Sequence, residues 1–431
     1  MSKMDKNNIV SVLKESSQNP LKVALVEDPL EDSFYDVVQE FLGCSEGSYP
    51  VRVRLDIEKI MVSAYSMAVK NTLAADYRKA TPPKGHSFRI TEIVNGNMPL
   101  QLSEYLEAKN GEKFYVHVSL DMGKYSSGVF FLYVRNDHFH VASEFISNVR
   151  DNLAKISPKL SFSGDGNILE TQSPVDWDDV VLPHDVKANV ETGILSFLQK
   201  SDLFIKSGIP FKRGILLYGP PGNGKTLMCR LIASKAKASV ICTTPKNISE
   251  MGSIAGIYNL ARVVSPSIIF LEDLDLIGQE RFGSTTAGLL GELLNQMDGY
   301  QTNNGVITIA TTNKLMVLDK VLANRPGRFD VSVELGNPTQ ENRIALFELF
   351  TRSIDLHSEI DFHALSQSTE GYSCAKIREV VTRTRILSAD QVKEIKPLTT
   401  DDFLETVKLM ESKKSKVGFA NGQSADLLNP A

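Results

Sequence analysis

The feature that most constrains the fold is the segment GPPGNGKT at positions 219–226. It fits the pattern G-x-x-x-x-G-K-[ST], follows the apolar run 215–218 and precedes a helical pattern that begins near Thr226. Glycines let the backbone wrap closely around an anion, so that successive N–H groups point inward, and the helix N-terminus adds a favourable dipole. A strand, a glycine-rich loop and a helix in this order predict a parallel α/β sheet that binds phosphate at the end of one strand.

Two polar side chains at the end of this loop have the chemistry to hold a nucleotide together with its metal ion. Lys225 carries a mobile charge suited to β- and γ-phosphates, and the hydroxyl of Thr226 can ligate Mg²⁺. The alternative is a glycine- and proline-rich turn that matches the pattern by accident. On the first interpretation ATP and Mg²⁺ are the predicted cofactors, and the predicted nucleotide contacts are Gly219, Pro220, Pro221, Gly222, Asn223, Gly224, Lys225, Thr226 and Leu227.

A pair of carboxylates follows a second apolar run, in IIFLEDLD at positions 268–275. A nucleotide hydrolase needs one carboxylate for Mg²⁺ and another to polarise the attacking water. Glu272 and Asp273 offer both at the end of a buried strand, which is where α/β sheets bind their ligands. The predicted metal ligands are therefore Thr226 and Glu272. The alternative is an acidic loop that is simply solvated after a core strand.

Three further polar residues lie downstream. Asn313 follows the run VITIA, and its neutral amide can hydrogen-bond a γ-phosphate or the lytic water, although an ordinary turn asparagine is an open alternative. Arg325 and Arg328 belong to the short segment RPGRFD. A guanidinium neutralises the charge that develops in phosphoryl transfer and can arrive from another subunit. The alternative is two solvated arginines on a loop.

The chain divides into segments of different pattern. Residues 1–156 mix helix signals (57–79 and 141–156) with strand signals (114–120 and 129–134), which predicts an α+β N-terminal domain of unknown role. Residues 157–174 are rich in Ser, Gly, Pro, Asp and Asn and are predicted to be a linker. Short apolar runs alternate with helical patterns over 175–336, only helices are predicted over 337–412, and the polar stretch 413–431 is predicted to be disordered.

Composition limits the partners and the compartment. The chain has 47 Lys+Arg against 52 Asp+Glu, a net charge of −5, whereas proteins that depend on nucleic-acid phosphates usually carry a basic excess. The strongly apolar runs are strand-sized, which predicts no membrane span, and the polar N-terminus does not fit a secretory signal. The four cysteines are scattered without a C-x-x-C pair, so we expect reduced thiols in a cytoplasmic protein.

Over about residues 175–412 the chain resembles an AAA ATPase. The resemblance rests on five segments that occur in that family's order and at about its spacing: GILLYGPPGNGKT, IIFLEDLD, LLNQMDGY, ATTN and RPGRFD. The resemblance implies a large P-loop α/β subdomain with a parallel sheet, a small helical lid and a homo-oligomeric ring, commonly of six, with the nucleotide between subunits. By motif position it implies Walker A residues Lys225 and Thr226, the Walker B pair Glu272 and Asp273, a sensor Asn313, arginine fingers Arg325 and Arg328, an intersubunit-signalling Asp298, and adenine contacts at Asp179 and Val180.

The sequence departs from the family pattern in three places. The acidic pair reads Glu-Asp instead of Asp-Glu, and the segment 244–250 lacks the aromatic-aliphatic-glycine triplet of a threading pore loop. The lid stretch 371–375 has no sensor-2 arginine, so no lid arginine is assigned to the phosphates. The Glu-Asp order and the segment 244–250, together with the segment 207–214, resemble the branch that includes the mitochondrial chaperone of the folded Rieske iron–sulfur protein, without its membrane-spanning helix.

These interpretations lead to one leading hypothesis and two alternatives. The leading hypothesis is a ring ATPase, hexameric or of another size, that remodels or translocates a protein client chosen by the N-terminal domain. The first alternative is an assembly scaffold that ATP switches between states. The second is a nucleic-acid motor, which the acidic composition disfavours.

Overall fold

The structure is a computed structural model of the chain. It describes residues 22–26, 38–44, 51–58, 62–81, 90–91, 101–121, 127–156, 160–164, 168–169, 174–208, 211–236, 238–244, 248, 254–278, 285–298, 303–315, 328–391 and 397–416. The described strands form two seven-stranded sheets, of which the first is antiparallel and the second is almost wholly parallel. The predicted α+β unit, α/β sheet and helical lid are confirmed as the fold class.

The first sheet has the strand order β1-β2-β7-β6-β5-β3, with β4 paired to β5. Its helices α1 (Val62–Asp76) and α2 (Phe139–Ile156) pack against each other. Because side chains alternate across a strand, Leu106 and Phe114 belong to the same apolar cluster as these helices, whereas Tyr105 lies in a second cluster. The strands are β1 (Lys22–Val26), β2 (Val51–Glu58), β3 (Arg78–Lys79), β4 (Ile90–Thr91), β5 (Gln101–Glu107), β6 (Lys113–Asp121) and β7 (Ser127–Val134).

The helix predicted over residues 57–79 is wrong at both ends. Residues 57 and 58 belong to β2, the helix α1 runs only from Val62 to Asp76, and residues 78 and 79 form β3. At the N-terminal end, the reason is the backbone pairing of β2 with β7, which runs in register as far as Glu58 opposite Ser127. A strand pairing of this length overrides a local helical pattern of apolar residues.

The second sheet has the order β14-β10-β13-β12-β11-β8-β9, in which only β9 is antiparallel to its neighbour. Its strands are β8 (Ser161–Ser163), β9 (Ile168–Leu169), β10 (Arg213–Tyr218), β11 (Ser239–Thr243), β12 (Ser267–Leu271), β13 (Val306–Thr312) and β14 (Val331–Glu334). The four apolar runs that the sequence assigns to strands are β10, β11, β12 and β13.

Two strands of this sheet lie in the segment 157–174, which the sequence predicts to be a linker. In β8, Phe162 is opposite Ile241 of β11 and is fully buried. A strand of three residues among serines and glycines has no periodicity to detect, and it forms only because β11 supplies its hydrogen-bond partners. The remaining domain boundaries stay predictions.

Helices cover both faces of the second sheet. Ile215 and Leu217 pack in one apolar cluster with Met228 of α6, whereas Leu216 between them packs in another with Ile257 and residues of α8. Burial of both faces explains why these strands read as continuous apolar runs. The helices are α3 (His184–Val190), α4 (Ser196–Gln199), α5 (Ser201–Lys206), α6 (Lys225–Lys235), α7 (Ile254–Val263) and α8 (Thr285–Asp298), and a π turn, Glu191–Leu195, joins α3 to α4.

The C-terminal part is the predicted helical lid. Its helices are α9 (Gln340–Thr351), α10 (Phe362–Ser368), α11 (Cys374–Gln391) and α12 (Thr400–Lys416), and they enclose a separate core around Phe347, Ile377 and Phe403. Residues 413–416, which the sequence assigns to a disordered tail, belong to α12, and the rest of that tail lies outside the described residues. No helix within the described ranges combines the length and the apolar character needed to cross a bilayer.

An alanine at position 214 is expected to destabilise the second sheet. Its Cβ would overlap the carbonyl oxygen of Arg328 and would lie 2.7 Å from Cε of Met297. We expect Gly214→Ala to lower the free energy of unfolding by about 1–3 kcal/mol, the usual effect of overpacking. Urea unfolding of the nucleotide-free protein measures this change.

The matched control is Gly291→Ala in α8, where an added Cβ meets nothing within 4 Å. Since alanine is the better residue inside a helix, this variant should be more stable than wild type by about 0.5–1 kcal/mol. Equal stability of Gly214→Ala and wild type would contradict the close approach of the two backbones.

Candidate nucleotide-binding site

The loop between β10 and α6 has the backbone of an anion-binding cradle. Gly222 and Gly224 adopt the left-handed region, with φ values of +81° and +82°, which only glycine enters without strain. Gly224 is also the N-cap of α6, so the chain passes directly from the cradle into the first turn of the helix. Backbone N–H groups at that helix terminus are available to phosphate oxygens.

Lys225 is held inside this loop. Its side-chain nitrogen donates hydrogen bonds to the carbonyl oxygens of Gly219 at 2.8 Å and Pro220 at 2.9 Å. Burial lowers the pKa of the Lys225 ammonium, and the carboxylates of Asp273 and Asp275 oppose that shift. An ammonium has three N–H groups, so one remains for a phosphate oxygen in addition to the two loop carbonyls.

The two acidic residues of the Glu-Asp pair take different positions at the end of β12. The backbone N–H of Glu272 donates to the carbonyl oxygen of Thr243, which continues the pairing of β12 with β11. The backbone then turns at Asp273, whose φ is +53°, and its N–H donates to Oγ1 of Thr311 at 3.0 Å. Asp273 therefore points toward the end of β13 and lines the cavity described below.

Asn313 meets Asp273 across the ends of β12 and β13. Its side-chain nitrogen donates to Oδ1 of Asp273 at 3.3 Å, and both residues line the cavity. The sequence places both residues in the site, and the structure brings them together.

Asp275 is a site residue to which the sequence reasoning gave no role. It is 5% exposed, and its Oδ1 accepts hydrogen bonds from the hydroxyl of Thr312 and from the backbone N–H of Asn313, each at 3.1 Å. The carboxylate thereby fixes the backbone that carries Asn313. The available signal is the alternation in LEDLD, which places a third acid two residues after Asp273.

Residues 221–226, Asp273 and Asn313 line a cavity of about 500 Å³, a size usual for small-molecule sites, whereas Glu272 and Asp275 are not among its lining residues. One end is polar, with the loop, Asp273, Thr311 and Asn313. The other end is largely apolar. It is formed by the segment before α3 and by the lid, through Asp179, Val180, Val181, Leu182, Leu346, Leu349, Phe350 and Arg378, while Cys374 and Ala375 line the cavity beside the loop.

Thr226 completes an oxygen-rich polar end. It is exposed and lines the cavity next to Lys225, while Asp273 and Asn313 provide carboxylate and amide oxygens. Oxygen donors of this kind are those that Mg²⁺ prefers, so the residues fit the predicted ion. Whether Glu272 or Asp273 ligates it stays a prediction.

Asp179 and Val180, the predicted adenine contacts, line the apolar end. Asp179 belongs to the short 3₁₀ turn Trp177–Asp179, where its carboxylate accepts a hydrogen bond from the backbone N–H of Asp176. The guanidinium of Arg352 in the lid donates to the carbonyl oxygen of Asp178 at 3.2 Å. This turn is therefore tied to the lid at the place where it borders the cavity.

The lid also contacts the phosphate loop directly. The backbone N–H of Ala375 donates to the carbonyl oxygen of Gly222 at 2.9 Å, and that of Cys374 donates to Oδ1 of Asn223 at 3.2 Å. The start of α11 is thus fixed against the loop. One turn further along, Arg378 lines the cavity, although the sequence reasoning assigned no lid arginine.

The structure describes only one of the two predicted arginine fingers. Arg325 lies outside the described residues. Arg328 is 4% exposed, and its Nε donates to Oδ2 of Asp298 at 2.7 Å, at the end of α8. Its contact with a neighbouring subunit's nucleotide stays a prediction. Of the segment 244–250, only residues 244 and 248 lie within the described part.

Comparison with known proteins agrees with this geometry. The family model for the ATPase family associated with various cellular activities (AAA) matches residues 215–337. A proteasome-activating nucleotidase of Methanopyrus kandleri is 33% identical over 258 residues, which cover 57% of this chain and 58% of the relative. The ATP-dependent zinc metalloprotease FtsH 1 of Rhodopirellula baltica is 30% identical over 357 residues, covering 77% of this chain and 51% of the relative.

A third relative, 26S protease regulatory subunit 6A of Caenorhabditis elegans, is 31% identical over 237 residues, covering 52% of this chain and 54% of that protein. The chain thus spans between half and two thirds of the length of these curated relatives. The similarity to the branch of the mitochondrial chaperone stays a prediction. The resemblance drawn from the motifs is confirmed at the level of the family: residues 215–337 form an ATPase domain of the AAA family.

Proposed function

We propose that this chain hydrolyses Mg-ATP and uses the turnover to remodel or translocate a protein client. The observation that carries the proposal is the meeting of Asp273 and Asn313 at the polar end of a cavity that also holds Lys225. A carboxylate and an amide at this place can hold and polarise a water beside the γ-phosphate. The apolar end has the character that a nucleobase requires.

Each residue has a role in this proposal. Lys225 and the loop N–H groups hold the phosphates, and Asp273 accepts the proton of the attacking water that Asn313 orients. Mg²⁺, when bound by Thr226 and Glu272, would supply charge neutralisation at the β- and γ-phosphates. Asp275 acts through Asn313, because its carboxylate fixes the Asn313 backbone.

The wider assembly is also part of the proposal. Two of the relatives are named as a proteasome-activating nucleotidase and a 26S protease regulatory subunit, names that connect an ATPase of this family with protein substrates. We therefore place the chain in a homo-oligomeric ring, hexameric in the first instance, with the N-terminal unit choosing the client. The cytoplasmic location rests on composition alone.

An ATP-switched scaffold is the second candidate, and stimulation of turnover separates the two. A remodelling ATPase should hydrolyse ATP faster when its client is present, whereas a scaffold should not respond to folded or unfolded protein. Steeply salt-dependent binding to single-stranded nucleic acid would instead favour the motor.

Replacing Lys225 with methionine tests whether the loop binds nucleotide. The ammonium is buried, so an apolar side chain of similar length should leave the stability of the nucleotide-free protein near that of wild type. Stabilisation by ATP, about 2.7 kcal/mol at a hundred times Kd, should be lost. Thermal unfolding with and without Mg-ATP measures both effects.

The control for Lys225→Met is Lys235→Met at the other end of α6, where the lysine pairs with Asp176 outside the cavity. This variant should keep the full stabilisation by ATP. The nucleotide site would be refuted if ATP did not stabilise the wild-type protein, or if ATP stabilised Lys225→Met fully.

Substitutions of Asp273 and Glu272 are expected to have different effects on the ATPase reaction. Since Asp273 lines the cavity beside Asn313, Asp273→Asn should bind Mg-ATP but turn it over at least a hundredfold more slowly. Glu272→Gln should chiefly raise the Mg²⁺ concentration that half-maximal activity requires. Measuring the ATPase rate against the Mg²⁺ concentration distinguishes the two variants. If Glu272→Gln showed the slow turnover and Asp273→Asn the raised Mg²⁺ requirement, the two acids would have the opposite roles.

Mixing variants tests whether Arg328 acts on a neighbouring site. Arg328→Ala should keep ATP binding and lose about a thousandfold in turnover, as expected for a trans-acting arginine. Asp273→Asn subunits retain Arg328, so mixing them with Arg328→Ala subunits should restore part of the activity. The control is Arg383→Ala, an exposed lid arginine paired with Glu379. If the mixture were no more active than its components, Arg328 would act only through its contact with Asp298 of the same chain.

A further inference from the structure

One arginine of the lid has a position that the proposed chemistry does not yet use. Arg378 lies on α11, lines the nucleotide cavity and is exposed. The carbon of its guanidinium is 4.6 Å from the centroid of the Phe350 ring on α9. Phe350 lines the same cavity, so the two side chains form one stacked pair from two helices of the lid.

The charge of Arg378 is not neutralised by an ion pair within the described part of the chain. The contrast is Arg383 on the same helix, whose guanidinium is 2.6 Å from a carboxylate oxygen of Glu379. A guanidinium laid against an aromatic ring keeps its N–H groups and its second face free for another partner. In this case the open space beside the pair is the cavity.

The pair lies where the lid borders the cavity. The start of α11 is fixed to the phosphate loop through the N–H groups of Cys374 and Ala375. Arg378 is nearly one turn further along, about 4.5 Å along the axis from Ala375. Phe350 also packs against the lid core together with Val181, which belongs to the segment that borders the apolar end.

We propose that Phe350 and Arg378 form a stacking platform for the purine base of the nucleotide, with Arg378 as a specificity-determining residue. This rests on the proposed function, because it assigns the base-binding part of the same site. The guanidinium lies between the Phe350 ring and the base, and its positive charge interacts with the π face of each. A purine presents a larger face than a pyrimidine, so the platform favours ATP over CTP.

The test is calorimetric measurement of Kd for ATP, ADP and CTP with wild type, Arg378→Ala, Arg378→Lys, Phe350→Ala and the double variant. We expect Arg378→Ala to raise the Kd for ATP and the Kd for ADP by the same factor, about 3- to 30-fold, and to raise the Kd for CTP by a smaller factor. Lysine should not restore the affinity, since its ammonium is not planar. Phe350→Ala should have a smaller effect in the Arg378→Ala background than in wild type.

The control is Arg383→Ala, which removes an arginine from the same helix outside the cavity and should leave each Kd unchanged. A much larger loss for ATP than for ADP would show that Arg378 contacts the γ-phosphate and would overturn the proposal. Unchanged affinities in Arg378→Ala, or full rescue by lysine, would overturn it as well. If the proposed function itself were wrong, the result would differ, because the wild-type protein would then bind neither ATP nor ADP.

Discussion

The parallel backbone pairing of β10, β13 and β12 is the constraint on which the site depends. Tyr218 at the end of β10 lies opposite Thr312 of β13, and Leu271 at the end of β12 lies opposite Ala310. This register brings the loop after β10, the acids after β12 and Asn313 after β13 to the same edge of the sheet. A shift of one strand by one residue would turn its side chains to the opposite face and separate these groups.

The polar groups at that edge depend on one another. Asp275 holds the backbone at Asn313, Asn313 holds the carboxylate of Asp273, and the backbone N–H of Asp273 is held by Thr311. Buried polar networks are costly when one partner is missing, so the whole set is favourable only when every member is present. The left-handed backbone at Asp273 is stabilised within this network, and aspartate is one of the few residues other than glycine that adopt it readily.

The sequence was sufficient to predict the strand, loop and helix around residues 219–226, the strand ends that carry Asp273 and Asn313, and the lid helices, because each has a local pattern in the chain. The strand β8 could not be predicted, since its three residues depend on β11. The contact of Arg328 with Asp298 and that of Arg378 with Phe350 join residues 30 and 28 positions apart. Such contacts depend on how helices pack and not on the spacing of residues in a motif.

The hydrogen bonds of Lys225 with its own loop have a consequence for the loop itself. A buried ammonium without partners would be strongly destabilising, but here the carbonyl oxygens of Gly219 and Pro220 accept two hydrogen bonds from it. These two bonds offset part of the cost of burial, which still lowers the pKa of Lys225, and they leave the third N–H group for an anionic oxygen. Lys225 thus belongs both to the internal hydrogen bonding of the loop and to the positive charge that the cavity presents.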